Sequence, residues 1–371
     1  MNRLSRIAFV LLSLAVFQAL APVEAQTPTP LPPVTLTLAA YSVPREAYGD
    51  VIPLFQAQWQ KDHKQQVLVQ ESYGASGAQS RAVVGGFEAD VVALSVEPDV
   101  TRIAKAGLIT HDWKANPYHG FVTDSVVALA VRPDNPKNIA GWADLVKDGV
   151  QVITPDPATS GGAQWNILAA LGSVKRGKVE GFAATDDGAK DYLSKLIPNL
   201  AVLDKDGRSS FLTFENGVGD VAITYENEVY AGLIQGGQYK PVYPDSTILI
   251  EAPVAVVDTY VDKHGTRAVA EAFVKFLWSA AAQRAFAENG FRPVVPDVAA
   301  EYGTSSPYAT PEASATAAAT EALQNNGVKI SFPAIPDLFT VAEFGGWPKA
   351  QTTFFGDSGL YPTLFAQLKG S

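Results

Sequence analysis

An α/β protein in two blocks is what this sequence predicts. Short apolar runs of strand length alternate with segments of helical spacing, and the alternation starts afresh at Val126. Each series implies βαβ units and a mostly parallel sheet. The 371 residues suit about two domains at ~100–200 residues each.

The first block is preceded by an export signature. Arg3 and Arg6 stand before an apolar run from Ile7 to Leu20, followed by Val23-Glu24-Ala25. A positive start, a short apolar core and a small residue at the cut read as a secretory signal over 1–25, cleaved after Ala25. The run is too short to span a bilayer comfortably. With no cysteine in the chain, disulfides, thiolate metal sites and a lipid-modified N-terminal cysteine are excluded. The mature product is expected to be free in the periplasm or an equivalent exported space. Residues 26–33, rich in Thr and Pro, read as a flexible leader.

Val34–Leu38 then alternates like a strand. Pro44 and Glu46 open a helical pattern with Tyr48, Ile52, Phe55 and Trp59 on one face, which Pro53 threatens to interrupt. Val67–Val69 and Val91–Leu94 are further strand runs. The second series comprises Val126–Val131, Val150–Ile153, a helix from about Ala163 to Leu171, and Val221–Thr224. Pro253–Val257 precedes one long amphipathic helical pattern at Val269, Phe273, Phe276, Leu277 and Ala280. The expected division is 34–125, 126–250 and 251–371, with crossings near Thr123–Val131 and Ile250–Val257 and a tail free to return to either block. A stretch at about 304–328, rich in Ala, Ser, Thr and Pro through Thr320, reads as a surface insertion.

Composition excludes several functions. Net charge is −10, which argues against nucleic acid, since phosphate contacts need clustered Lys and Arg. It does not argue strongly against a small anion, because local dipoles outweigh distant screened charge. His63, His111, His119 and His264 show no metal-ligand spacing, and neither H-E-x-x-H nor G-x-S-x-G occurs. Glu226 and Glu228, two apart, face different directions on a helix and read as helix-start and solvent or hinge groups. Trp165 and Trp278 read as packing residues. No cofactor is expected.

Three strand-to-helix turns carry the chemistry. In Thr154–Asn166 a strand ends, and Ser160-Gly161-Gly162 opens a helix. First-turn amides have no internal partner, the helix dipole adds partial positive charge, and two glycines let an oxyanion approach closely. Tyr73–Ser80, with Ser76, repeats the pattern, and Tyr41–Glu46, with Ser42, is a third. For each alone, ordinary helix capping competes with anion binding. Convergence of all three in the crevice beyond the strand ends favours an anion.

The run VITPDPATSGGAQWNILAA resembles the signature VITPNPKSSGGARWNYLAA of bacterial periplasmic sulfate-binding proteins. YGASGAQS, GFEADVVAL, VGDVAITYENE and EFGGWPKAQ resemble HGGSGKQ, GIEADVVTL, IGDVLIAWENE and EVFGGWAKAQ of the same family, in the same order, from about Val34 to Ala350. Thiosulfate-binding receptors share this pattern. The resemblance implies a type II periplasmic-binding fold: two α/β lobes closing on desolvated sulfate, which neutral donors hold without a counter-ion. It implies a monomer that catalyses nothing and serves an ABC permease with a cytoplasmic ATPase. It implies that Ser76 donates its hydroxyl and that Ser160, Gly161 and Gly162 donate backbone amides. Ser42 replaces an aspartate, and Gly207 an alanine, each used through its amide. Tyr225 stands where the family has a tryptophan whose indole donates to the ligand, and Gln164 replaces an arginine inside the cradle helix. Thiosulfate, molybdate or phosphate as ligand, and a secreted α/β hydrolase, are the alternatives.

Overall fold

The computed structural model describes residues 31–309 and 323–370. The expected signal segment, Gln26–Pro30 of the leader and the centre of the insertion lie outside the described residues. The main strands are β1 (Leu31–Tyr41), β2 (Gln65–Gly74), β3 (Val91–Ala93), β4 (Phe121–Val131), β5 (Val152–Pro155), β6 (Leu200–Asp204), β7 (Val221–Tyr225), β8 (Lys240–Val242) and β9 (Ser246–Val256). Their order is β2-β1-β3-β9-β4-β7-β5-β6, with β8 on β4 and Asp337–Phe339 on the start of β9.

The sheet has two halves because β4 and β9 are long. Their middles pair antiparallel, Thr123 to Val126 against Ala252 to Leu249. Beyond that ladder β9 continues against β3, and β1, β2 and β3 form a parallel set. At the other end β4 continues against β7, which is parallel to β5, itself parallel to β6. β4 is buried along its whole length, Thr123, Asp124 and Ser125 included, and from Val126 to Val131 it is a continuous apolar run, as a doubly covered strand should be.

Parallel strands need helical crossovers, and these supply the helices around the cleft. α1 (Arg45–His63) follows β1, α2 (Ser76–Val84) follows β2, and α3 (Glu97–Lys105) follows β3. α4 (Gly161–Lys175) follows β5, α5 (Asp186–Asn199) leads into β6, α6 (Gly207–Glu215) follows β6, and α7 (Glu226–Ile234) follows β7. The helix starts of both halves therefore lie at the carboxyl ends of the strands, where open α/β sheets bind ligands. α1 runs unbroken through Pro53. The carbonyl that this proline cannot satisfy belongs to Gly49, which is exposed and so open to solvent. Its buried face meets aromatic partners edge-on, with Phe55 against Phe273 at 5.1 Å and Tyr48 against Phe286 at 5.7 Å.

Two readings of the sequence need correction. The single helix expected over Val269–Ala280 is two, Arg267–Phe276 and Ala280–Glu288. Ser279 is the N-cap of the second, and its hydroxyl accepts the Ala282 N–H at 3.2 Å. The end of the expected insertion is a hairpin, Leu323–Asn325 with Val328–Ile330. Asn326 and Gly327 take positive φ between them, the residues a two-residue hairpin turn demands.

α4 is buried on nearly every side, and the segment after the hairpin covers it. Phe339 and Phe344 lie over Gly172, and Trp165 meets Trp347 edge-on at 4.6 Å. Arg176, at the end of α4, binds Asp337 and Glu343. A Cβ at position 172 would come within 2.3 Å of the Phe339 ring. Gly172→Ala is therefore expected to destabilise by about 1–3 kcal/mol from overpacking, more than the ~1 kcal/mol alanine gains in a helix. A fall in the urea midpoint would report this, and an unchanged or higher midpoint would contradict the packing described.

Candidate functional site

Four helix starts, two from each half, meet at one small cavity. Tyr41, Ser42 and Val43 bring the entry to α1; Gly74, Ala75 and Ser76 bring α2. Ser160, Gly161 and Gly162 bring α4, and Asp206 with Gly207 brings α6. Ser95, at the end of β3, completes the wall. The space they enclose is small, about that of one water molecule.

Local sequence explains each donor. Ser160 is the N-cap of α4, and its hydroxyl accepts the Ala163 N–H. Asp206 caps α6 by accepting the Ser209 N–H at 2.9 Å. Each cap satisfies a third-position amide and leaves the first ones facing outward. Among the described residues, the N–H groups of Ser76, Gly161, Gly162 and Gly207 have no acceptor, as first-turn amides require. Glycine at 161 is a steric requirement, because a Cβ there would lie 2.7 Å from Ser95 Oγ.

Ser42, Ser76, Ser160, Gly161, Gly162 and Gly207 are thus brought together, although some use different atoms than expected. The Ser160 N–H is spent on the Asp156 carbonyl at 2.8 Å. Ser76 Oγ donates to Asp99 Oδ2 at 2.6 Å and accepts the Ser95 N–H at 3.0 Å, so its own amide faces the cavity instead. Tyr225, the seventh candidate, is fully buried behind Gly162, and its hydroxyl lies 2.7 Å from Ser95 Oγ. Gln164 takes no part in the lining. It donates to the Pro157 carbonyl and accepts from Gln351, so it braces the loop against the C-terminal segment.

The two halves are held together around the cavity. Gly77 N–H reaches the Thr159 carbonyl at 3.2 Å, and Trp165 Nε1 donates to the Ser95 carbonyl at 2.9 Å. Trp165 is therefore a contact between the halves as well as a packing residue. Arg208, beside Gly207, binds Glu46 of α1 and lies 3.3 Å from Glu228. Ser95, Asp99 and Arg208 escaped the sequence reading. Ser95 alone carried a signal, since like Ser42 and Ser76 it stands where a strand turns into a helix.

Electrostatics at the cavity come from dipoles, not from side-chain cations. Among the lining residues there is no Lys or Arg, and Asp206 is the one charged group. Arg208 is occupied by two carboxylates. Glu226 and Glu228 do stand at a helix start, in the first turn of α7, but the solvent alternative read for them is overturned, since both are fully buried. Glu226 holds Arg292 through both oxygens, at 2.6 and 2.9 Å. Burial pushes Glu228 up to about 7, against the pull of Arg208 and with help from Glu46 and Glu215. In the middle of the β4–β9 ladder, Asp124 sits opposite Glu251. Burial and the Glu251 charge raise it well above the carboxylate range. The unpaired first-turn amides at the cavity, with no cation among the lining residues, are suited chemically to a small dehydrated anion.

Residues 36–292 match the model of a family described as bacterial extracellular solute-binding protein. The chain belongs to that family. Among its curated relatives is the sulfate-binding protein of Synechococcus elongatus, 43% identical over 91% of this chain and 88% of that one. The sulfate-binding protein of Escherichia coli is 37% identical over 89% and 93%, and the same organism's thiosulfate-binding protein 32% over 88% and 90%. The solved sulfate-binding protein SubI of Mycobacterium tuberculosis superposes with a TM-score of 0.72 at 36% identity, covering 86% of this chain and 98% of that one. This solute-binding protein is thus a two-lobed α/β molecule with its crevice between the lobes. No helix among its described residues is long and apolar enough to cross a membrane.

Glu228 gives the solute-binding protein a pH signature. A carboxyl raised from 4.5 to about 7 holds a proton in the folded chain that the unfolded chain has lost. Its contribution is full below about 4.5 and is lost as pH rises through about 7. Glu228→Gln, which cannot titrate, is expected to flatten the fall in stability between pH 5 and 8 by on the order of 2–3 kcal/mol. Denaturation midpoints of both proteins across that range check this, and parallel curves would refute it.

Proposed function

We propose that this chain is an exported receptor that captures sulfate between its two lobes and delivers it to an ABC importer. One observation carries the reading: free amide N–H groups from helix starts of both halves face a single cavity lined by no cation. A bare dianion leaving water needs several hydrogen donors at once. First-turn amides supply them with dipoles already oriented, without the ordering that flexible lysines would need. The relatives named for sulfate supply the identity of the anion.

In this reading the donors are the amides of Ser76, Gly161, Gly162 and Gly207, with the turn at Ser42 completing the ring. Lobe 1 comprises residues 34–125 and part of 251–371, lobe 2 comprises 126–250, and β4 with β9 forms the hinge. Sulfate binds one lobe first, and closure adds the donors of the other, so that binding selects the closed form. A two-part permease with a cytoplasmic ATPase recognises that form. Residues 1–25 direct export and are removed, the mature monomer acts in the periplasm, and it performs no chemistry on the ligand.

Calorimetric titration of the mature protein with sulfate, thiosulfate, molybdate and phosphate tests this. Sulfate is expected to bind tightest and with no dependence on pH between 6 and 8. Phosphate binding as tight, and strengthening as pH falls, would overturn the assignment. Gly161→Ala, whose Cβ meets Ser95 of the other half, is expected to weaken sulfate about 10- to 100-fold by obstructing closure. Unchanged affinity in that variant would sink the closed cradle.

A further inference from the structure

We propose that Ser95 is an additional anion donor of this site and that Tyr225 is its positioning residue, acting on the ligand only through Ser95. The inference rests on the anion-receptor reading above and assigns that reading a specificity element. Ser95 is buried and lines the cavity, whereas Tyr225 lies behind it. Their oxygens are 2.7 Å apart, so one hydroxyl donates to the other.

Geometry sets the direction. The Tyr225 hydroxyl has no other hydrogen-bond partner among the described residues. A buried phenol that left its hydrogen unspent would forfeit the solvation of that group. Burial also raises Tyr225 far above its ordinary range, so the phenol keeps its hydrogen throughout the physiological range. Tyr225 therefore donates to Ser95, which bars Ser95 from turning its own hydrogen that way. The remaining direction for the Ser95 hydrogen is the cavity.

Ser95 is well placed to hold this orientation. Its N–H is tied to Ser76 Oγ and its carbonyl to Trp165 Nε1, so backbone links to both halves fix its Cα. Its Oγ stands over the start of α4, 2.7 Å from where a Cβ of residue 161 would be. A serine hydroxyl can either donate or accept. With one lone pair filled by Tyr225 and its hydrogen turned inward, this one is restricted to donating. A site whose contacts to the anion are all donors binds sulfate, but offers nothing to the O–H of hydrogen phosphate.

Calorimetry on Ser95→Ala, Tyr225→Phe and the double variant, with sulfate and with phosphate, tests the relay. Ser95→Ala is expected to weaken sulfate about 10- to 100-fold, the loss of one hydrogen bond to a charged group. Tyr225→Phe is expected to weaken sulfate about 3- to 10-fold. It should also raise phosphate relative to sulfate about tenfold, because the freed serine can accept. The double variant should bind sulfate like Ser95→Ala alone, since Tyr225 has no other route to the anion. Additive losses would show Tyr225 acting directly, Ser95→Ala at parental affinity would show that Ser95 is no donor, and either overturns the relay. Should Ser95→Ala not fold, an unchanged phosphate-to-sulfate ratio in Tyr225→Phe overturns it alone. A parent protein that binds none of the anions would refute the receptor reading instead.

Discussion

Backbone amides at the first turn of a helix cannot be satisfied from within that helix, and this molecule aims those of three helices, two of them in one half and the third in the other, at a common point. The rest of the architecture serves that arrangement. Parallel strands place helix starts at one edge of each half-sheet, and the paired long strands β4 and β9 set the edges facing one another. Serine and aspartate caps consume the deeper amides, so the outermost ones remain for a ligand. The close approach also dictates residue type, since a single extra carbon at Gly161 would strike Ser95 across the cleft.

Charge is managed locally. A protein with a net charge of −10 can receive an anion because screening removes distant charge while nearby dipoles act at short range. The one arginine beside the cradle, Arg208, is shared between Glu46 of one half and Glu228 of the other, so it ties the halves together and is no counter-ion. The cost appears elsewhere as buried carboxyls. Glu228 is pushed toward neutrality, and Asp124 faces Glu251 across the crossover strands. Arg292 and Glu226 form a bidentate buried pair that anchors α7, and the Arg292 backbone bridges to Asp124 of β4. Acidic groups thus populate both the β4–β9 ladder and the cleft wall.

Tyr225 illustrates how one residue can change its part without leaving the site. Its phenol does not line the cavity, and Ser95, which does, is its hydrogen-bond partner. The ring fills the space behind Gly162, and its hydroxyl is passed on through a serine held from both halves. Gln164 shows the same principle at lower stakes: it supports the cradle loop through Pro157 and Gln351 and carries no charge to the anion.

Strand-and-helix alternation, the glycine-rich helix starts and the apolar stripe of α1 were readable directly, because each depends on near neighbours in the chain. The resemblance to sulfate-binding proteins added the order of the motifs and the candidates Ser42, Ser76, Ser160, Gly161, Gly162, Gly207 and Tyr225. What the linear chain could not reveal was which atom of each candidate faces the cavity. The Ser160 amide is taken by the Asp156 carbonyl within its own loop, and the Ser76 hydroxyl by Asp99 of another helix, a partner that only the fold supplies. For Glu226 and Glu228 the sequence left solvent or hinge positions open, because helical position alone does not show what packs on every side. Local preference and pattern reside in sequence. The choice among competing hydrogen-bond partners is made when distant segments are brought to within 3 Å of each other, and only the tertiary structure does that.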